Sequence, residues 1–314
     1  MNASVIICTY NRSGSLKRTL ASLERMQGRD SGDWELIVVD NNSKDDTRVV
    51  VDEFTRASGV NCRYIFEKEQ GLSHARNRGI REANGEIIAF TDDDVLLDRH
   101  WLRNISLEFE NGGVACVGGK ILPVWESPCP VWLKGDLLNI LALQDLGEKK
   151  IKLANPVIWG ANLSFHSSMF RKHGVFDTNL GNMEGKFYGG EETKFVRQLL
   201  EKGENVLYCP NVLVHHCIPD SRVKKSYFRK WFYDKGELKA VQMGEYRLRN
   251  IWGIPLYVIR EAGVELTRYL GKQFTSPRSA FREQLIMIHT LGIIAGRYKY
   301  RNTMSKRPVF GINR

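Results

Sequence analysis

Three consecutive carboxylates, Asp92-Asp93-Asp94, follow the apolar run EIIAFTD and precede Val95-Leu96-Leu97, so a strand delivers acids to an edge. Carboxylate oxygens are hard ligands that suit Mg2+ or Mn2+, which bind through one or two protein carboxylates together with substrate phosphates. A metal held in this way would bridge a diphosphate and neutralise the charge that develops on it as it leaves. Alternate residues of an extended segment share a face, which sets Asp92 and Asp94 on one side and Asp93 on the other. Acids in such a place also cap helices. A second acidic pair, Glu191-Glu192, follows two glycines in GGEETKF, where glycine lets the backbone approach a ligand. Two acids at a helix start serve equally to stabilise its N-terminus. His216 ends the strand-like run PNVLVHH, and imidazole is a reasonable ligand for Mn2+ but a poor one for Mg2+.

The elements that must position these residues are legible in the first 91 residues. Four short, β-branched runs, Ser4–Thr9, Glu35–Asp40, Cys62–Phe66 and Glu86–Asp92, alternate with helical patterns. The helices are marked by Leu16, Leu20 and Leu23, by Val49, Val50 and Phe54, and by Ala75, Gly79 and Ile80. This alternation predicts an α/β fold whose parallel sheet is covered on both faces. Ligands of such sheets sit beyond the carboxyl ends of the strands. Three of the four strands end in polar clusters that together could hold a nucleotide and a metal: Thr9-Tyr10-Asn11-Arg12, Asp40-Asn41-Asn42-Ser43 and Asp92-Asp93-Asp94. Ser43, Asp45 and Asp46 are expected to be helix caps. No GxGxxG follows the first strand, which argues against NAD or FAD. Residues 95–220, with glycine pairs and several tryptophans, read as a mixed-sheet half that carries the second substrate. From about Arg222 the pattern turns helical, through Tyr227, Trp231, Leu238 and Val241 and then WGIPLYVI and QLIMIHTLGIIAG.

Of the 314 residues, 42% are hydrophobic and 26% charged, which suits a globular protein and excludes a disordered one. Six cysteines form no CxxC pair, so reduced thiols and a cytoplasmic place are expected and a zinc knuckle is not. Neither a secretory leader nor a spanning helix is expected, because no uninterrupted apolar run approaches the roughly 18 residues needed. The net charge of +10 is concentrated: Asp220 to Arg314 carries 20 Lys and Arg against 7 acids, leaving −3 for residues 1–219. Such a basic third suggests an anionic partner, nucleic acid or an acidic membrane surface, or else a solvated basic face.

Taken in order, VIICTYNR, LIVVDNNSKDDT, GLSHARNRGIREANGEIIAFTDDD, WGANLSF and GGEETKF resemble the inverting family 2 glycosyltransferases of GT-A fold. The motifs run from residue 5 to about 216, and their order and spacing are more specific than any one of them. The resemblance implies a nucleotide-diphosphate sugar as donor, a divalent metal and transfer with inversion at the anomeric carbon. It sets Thr9, Tyr10 and Arg12 in the loop that contacts the nucleotide, with Asp40 reading the base. Arg76 and Asn77 are placed near the donor and its pyrophosphate, Asp92 beside the ribose and Asp94 on the metal, with Asp93 contributing to either. His216 would complete a metal site of Asp94, Asp92 and His216. Trp159, Gly160, Ala161 and Asn162 fall in the acceptor segment, the small residues giving a sugar ring room and Asn162 hydrogen-bonding it. Glu192 stands where the family has its base, commonly an Asp, and Glu191 remains the alternative.

The implied architecture is a GT-A catalytic domain over 1–220, with a nucleotide-binding half (1–94) and an acceptor half (95–220), followed by a basic helical region over 221–314. In that region Lys224, Lys225, Arg229, Lys230 and Lys235 interleave with Tyr227, Phe228, Trp231, Phe232 and Tyr233. This suits a peripheral place on the inner face of a membrane and an acceptor that is a glycan or lipid-linked glycan, for surface polysaccharide. The alternative is a helical cap packed on the catalytic domain through Trp252, Leu256 and Ile259. Two rival functions stand beside this one. A sugar nucleotidyltransferase lacks support from any glycine-rich, lysine-bearing N-terminal loop. A nucleic-acid binder lacks a recognition motif and is opposed by the strand-end acids, so nucleic acid is not an expected partner.

Overall fold

The chain begins with the expected alternation: β1 (Ala3–Thr9), α1 (Ser13–Leu23), β2 (Trp34–Asp40), α2 (Thr47–Ser58), β3 (Cys62–Phe66), α3 (Leu72–Glu82) and β4 (Ile87–Asp92). There follow β5 (Val95–Leu97), α4 (Trp101–Glu110), β6 (Cys116–Trp125), β7 (Ile151–Lys152), β8 (Asn162–His166), α5 (Ser168–His173), α6 (Glu191–Glu201) and β9 (Val206–Ile218). The computed structural model describes residues 2–26, 34–110, 112–182, 185–243 and 249–301, except for the side chains of 277 and 278. The chain divides into two units: Met1–Cys129, Leu133–Glu184 and Gly189–Pro219 make the first, and Pro130–Trp132, Gly185–Tyr188 and Asp220–Arg314 the second.

The first unit is built on one nine-stranded sheet in the order β3-β2-β1-β4-β8-β6-β9-β5, with β7 added on β9. β1 runs parallel to β2 and β4, and β3 parallel to β2. β8 is antiparallel to β4 and β6, so the sheet changes from parallel to mixed at β8. Register aligns Thr9 with Asp40 and Cys8 with Asp92, which brings three strand ends to one edge. β2 is buried along its whole length, as a strand covered on both faces must be. Helix α1 buries Leu16, Leu20 and Leu23, as its periodicity requires. Helix α2 is phased differently from the expectation. It starts at Thr47 and turns Thr47, Val51 and Phe54 inward, leaving Val49 52% exposed. Gly79 lets α3 lie close on the sheet, since a Cβ there would overlap the Ile6 side chain. Phe90, Phe165, Phe170, Phe176 and Phe195 form an aromatic core beneath the strand ends.

The second unit contains α7 (Lys225–Gln242), the hairpin β10 (Asn250–Ile251) and β11 (Ile254–Pro255), α8 (Leu256–Thr275) and α9 (Pro277–Tyr300). The run WGIPLYVI, helical by pattern, is split: Gly253 takes a left-handed φ of 79° in the hairpin, and the helix begins only after Pro255. Helices α7 and α9 cross at Gly236 and Gly292, where a Cβ on either would overlap the other helix's backbone. The inner face of α7 carries acids as well as apolar groups. Asp234 and Glu237 are both buried; Lys186 pairs with each of them and Lys230 with Asp234 at 2.7 Å.

Candidate active site

Short polar side chains tie the strand-end loops together before any of them meets a ligand. Asn11 adopts a left-handed φ of 51°, donates its backbone N–H to Ser43 Oγ at 2.9 Å and accepts the Lys44 N–H at 2.6 Å. Asp45 accepts the Ser13 N–H at the start of α1 and the Thr47 hydroxyl at the start of α2, so one carboxylate serves two helix ends. Asp46, the N-cap residue of α2, makes no side-chain cap bond. The Asn41 amide donates to the Glu67 and Glu69 carbonyls and accepts the Gly71 N–H, which fixes the entry to α3. Asp40 is buried and accepts from the Tyr64 hydroxyl at 2.6 Å and the Ser43 N–H at 2.8 Å.

Helix α3 carries Arg76 beneath this edge, 4% exposed, into a cluster of acids. Its Nη1 donates to Glu191 Oε1 and lies 3.7 Å from Glu192 Oε2, and its Nη2 lies 3.6 Å from Asp92 Oδ1. Gly189 and Gly190 take left-handed φ values of 46° and 90°, which glycine tolerates best, and so start α6 with both glutamates turned inward. One guanidinium therefore faces three carboxylates. Burial, reinforced by the neighbouring Glu192 and opposed by Arg76, pushes Glu191 up to about 8. Both glutamates are buried, and a hydrogen bond between the two carboxyls helps Glu191 retain its proton.

A second cluster gathers on the turn after β4. Arg12 donates from Nη1 to Asp93 Oδ1 and from Nη2 to Asp94 Oδ2 at 2.8 Å, and Thr9 Oγ1 donates to Asp93 at 2.7 Å. Burial raises Asp93 to about 6 against the pull of Arg12. The Asp94 Oδ1 faces His216 Nε2 at 3.3 Å, and the His216 Nδ1 lies 2.8 Å from the Leu141 carbonyl. A carbonyl only accepts, so Nδ1 donates to Leu141, and this bond orients the ring with Nε2 facing Asp94 Oδ1. An imidazole oriented through its far nitrogen beside a carboxylate is a fitting donor pair for a divalent cation.

This arrangement corrects the expected division of the acidic triplet. β4 ends at Asp92 and the chain turns at residues 93–94, so strand alternation stops there. Asp93 and Asp94 share Arg12, while Asp92, 35% exposed, turns to Arg76. Among the described residues no three His, Cys, Asp or Glu side chains converge to hold a metal on their own. Asp94 and His216 could hold one with substrate oxygens completing the shell, and Asp92, though turned to Arg76, lies close enough to feel the charges of both.

Other expected site residues have internal partners. Asn77, one residue and about 100° around the helix from Arg76, donates to the Phe176 carbonyl and accepts its N–H. Asn162 donates to the Lys120 and Val212 carbonyls and accepts from Trp101 Nε1, so its amide clips the sheet together and is not directed at a sugar. Gly160 makes room for Arg76, since a Cβ there would overlap the guanidinium. Ala161 is fully buried and its carbonyl accepts from Thr91 Oγ1 at 3.1 Å, whereas Trp159 is half-buried. Tyr10 is half-buried immediately after β1. Sequence reasoning missed the Leu141 carbonyl, which orients the His216 ring, and the Gly160–Arg76 fit; neither has a local signal, because the partners lie 75 and 84 residues apart.

The sequence profile of glycosyl transferase family 2 matches residues 4–174. A glucosyl-dolichyl phosphate glucuronosyltransferase of Haloferax volcanii is 26% identical over 230 residues, 71% of this chain and 72% of that one. The succinoglycan biosynthesis protein ExoM of Rhizobium meliloti is 25% identical over 259 residues, covering 82% and 80%. In three dimensions the chain resembles the mannosyltransferase PcManGT from Pyrobaculum calidifontis, solved in complex with GDP-Man and Mn2+. The TM-score is 0.61 at 20% identity, over 96% of this chain and 87% of that one.

Proposed function

The chain belongs to glycosyl transferase family 2, has the GT-A fold with a helical C-terminal region, and is a glycosyltransferase; on that premise we propose how its own residues carry out the transfer. The donor is a nucleotide-diphosphate sugar, held at the strand ends by Thr9, Tyr10, Arg12 and Asp40. Glu192 takes the proton of an acceptor hydroxyl as the oxygen attacks the anomeric carbon. The bond from that carbon to the diphosphate breaks on the opposite face, and the configuration inverts. Glu191, deeper and bonded to Arg76, holds the guanidinium in place. A divalent cation, Mn2+ or Mg2+, bound by Asp94 and His216, would supply neutralising charge to the departing diphosphate. Arg12, 36% exposed, meanwhile holds Asp93 and Asp94 together.

The acceptor we favour is a glycan or lipid-linked glycan in polysaccharide assembly, consistent with the names of the relatives. The enzyme would work in the cytoplasm, at the inner face of the membrane. The observation that carries this reading is the pair of buried glutamates that converge on Arg76 at the end of the parallel strands. Its test is nucleoside diphosphate release from a panel of nucleotide sugars, with donor affinity measured beside it. Glu192→Gln should keep donor affinity and lose about 100-fold or more of turnover. Asp94→Asn should lose metal-dependent donor affinity. Equal loss of both properties in the two variants overturns the assignment.

A further inference from the structure

Helix α8 buries only Val258 of its 20 residues, against Ala240, Ile254 and Ile293. Ala262, Glu265 and Tyr269 continue that face half-buried, and Gln284 Nε2 donates to the Tyr269 hydroxyl at 3.0 Å. A second stripe, Leu256, Ile259, Leu266, Leu270 and Phe274, is 41, 39, 45, 49 and 88% exposed. At about 100° per residue it is centred roughly a third of a turn from the packed face and runs about 27 Å along the helix. An apolar stripe of that length on an otherwise solvated helix is an interaction surface.

We propose that α8 is the element by which this protein lies on an anionic lipid surface. Among the described residues from Asp220 to Arg301, 12 Lys and Arg are exposed against two exposed acids, Asp220 and Glu261. Asp234 and Glu237 are buried, so the face the unit turns to solvent is more cationic than its composition alone indicates. On α8 itself the exposed Arg260 flanks the stripe, about a fifth of a turn from its centre. Trp252, 73% exposed on the hairpin that leads into α8, packs edge-on against Tyr298, an aromatic pair of the kind favoured at membrane interfaces. Among the described residues no helix is long and apolar enough to cross a membrane, so the helix lies on the surface. A second copy of the chain would present the same strongly positive unit and be repelled.

The basic and aromatic residues of α7 are committed elsewhere. Phe228 is fully buried, Lys225 and Arg229 lie over the Phe281 ring, Lys230 pairs with Asp234 and Lys235 donates to the Tyr188 carbonyl. Trp252, Leu256 and Ile259, the residues expected to pack as a cap, are exposed. The lipid-facing element is therefore α8. This inference goes beyond the catalytic reading and does not depend on it.

The test is flotation of the full chain with phosphatidylcholine vesicles, with and without phosphatidylglycerol, at low and high salt. Wild type should float only with phosphatidylglycerol and release as salt rises. Leu266→Asp with Leu270→Asp should cut partitioning about tenfold or more, and Arg260→Glu should cut it about fivefold or more. Both variants should melt like wild type, because all three side chains are exposed. Flotation that ignores phosphatidylglycerol, or that survives the apolar substitutions, overturns the proposal. So does a wild-type dimer that those substitutions dissociate, which would assign the stripe to a second copy. Flotation without any nucleotide binding would leave this inference standing and count against the activity.

Discussion

Replacing Arg76 with Gln removes the cation that faces Glu191, Glu192 and Asp92 within 3.7 Å. The side chain is 4% exposed, so the acids it leaves behind cannot all recover their hydration. Breaking a buried ion pair by deleting one partner costs about 3–5 kcal/mol. For a unit of this size that corresponds to a fall in melting temperature on the order of 10 °C. The sign with pH follows from Glu191. Its proton is held up to about 8 in the folded state, so on acidification the cluster loses charge and the need for Arg76 shrinks. The deficit should therefore be larger one unit above that pH than one unit below it. Arg76→Lys should fall between, because an ammonium is a point charge and cannot reach three carboxylates at once. Thermal melts of wild type and both variants at the two pH values decide the matter. A shift below about 2 °C, or one that is equal or larger at the lower pH, would refute charge compensation as the role of Arg76.

Three further outcomes follow from the same geometry. Gly160→Ala drives a methyl into the Arg76 guanidinium and should cost about 1–3 kcal/mol, read by denaturant unfolding; wild-type stability would mean that the contact is not close. In wild type, stability should fall as pH rises from about 4.5, the ordinary value of Glu191, through about 8. Glu191 contributes at most about 1.4 kcal/mol per unit to that slope, and Glu191→Gln should remove the contribution; an unchanged slope would place the proton elsewhere. Asn162→Ala strands the Trp101 Nε1–H and two carbonyls, and should cost about 3 kcal/mol or more while leaving the acceptor KM of the folded enzyme alone. Normal stability with weakened acceptor binding would restore Asn162 to the sugar site.

The first four strands were readable because a parallel sheet covered on both faces demands near-continuous apolar runs, and β1, β2, β3 and β4 begin and end within a residue of those runs. What pattern alone missed depends on distant partners or local turns. The phase of α2 hinges on its start at Thr47, and the split of Asp92 from Asp94 on a turn that interrupts the strand. Asn77 and Asn162 stand in motifs that resemble a binding site, yet their amides satisfy the backbone of Phe176, Lys120 and Val212, long-range pairings that carry no local signal. The burial of Glu191 follows from an arginine 115 residues earlier in the chain. Helix content after Arg222 was legible, but the inward face of α7 was not, since its buried acids depend on Lys186, 48 residues before Asp234.

The central claim is that the strand ends of the first unit bind a nucleotide-diphosphate sugar through a cation held by Asp94 and His216. Calorimetric titration of wild type and Asp94→Asn with UDP, GDP and dTDP, each with and without Mn2+, tests it most directly. One nucleotide should bind wild type in the presence of Mn2+, and removing either Mn2+ or the Asp94 carboxylate should abolish binding. Binding that is indifferent to both, or absent for all three nucleotides, would contradict it.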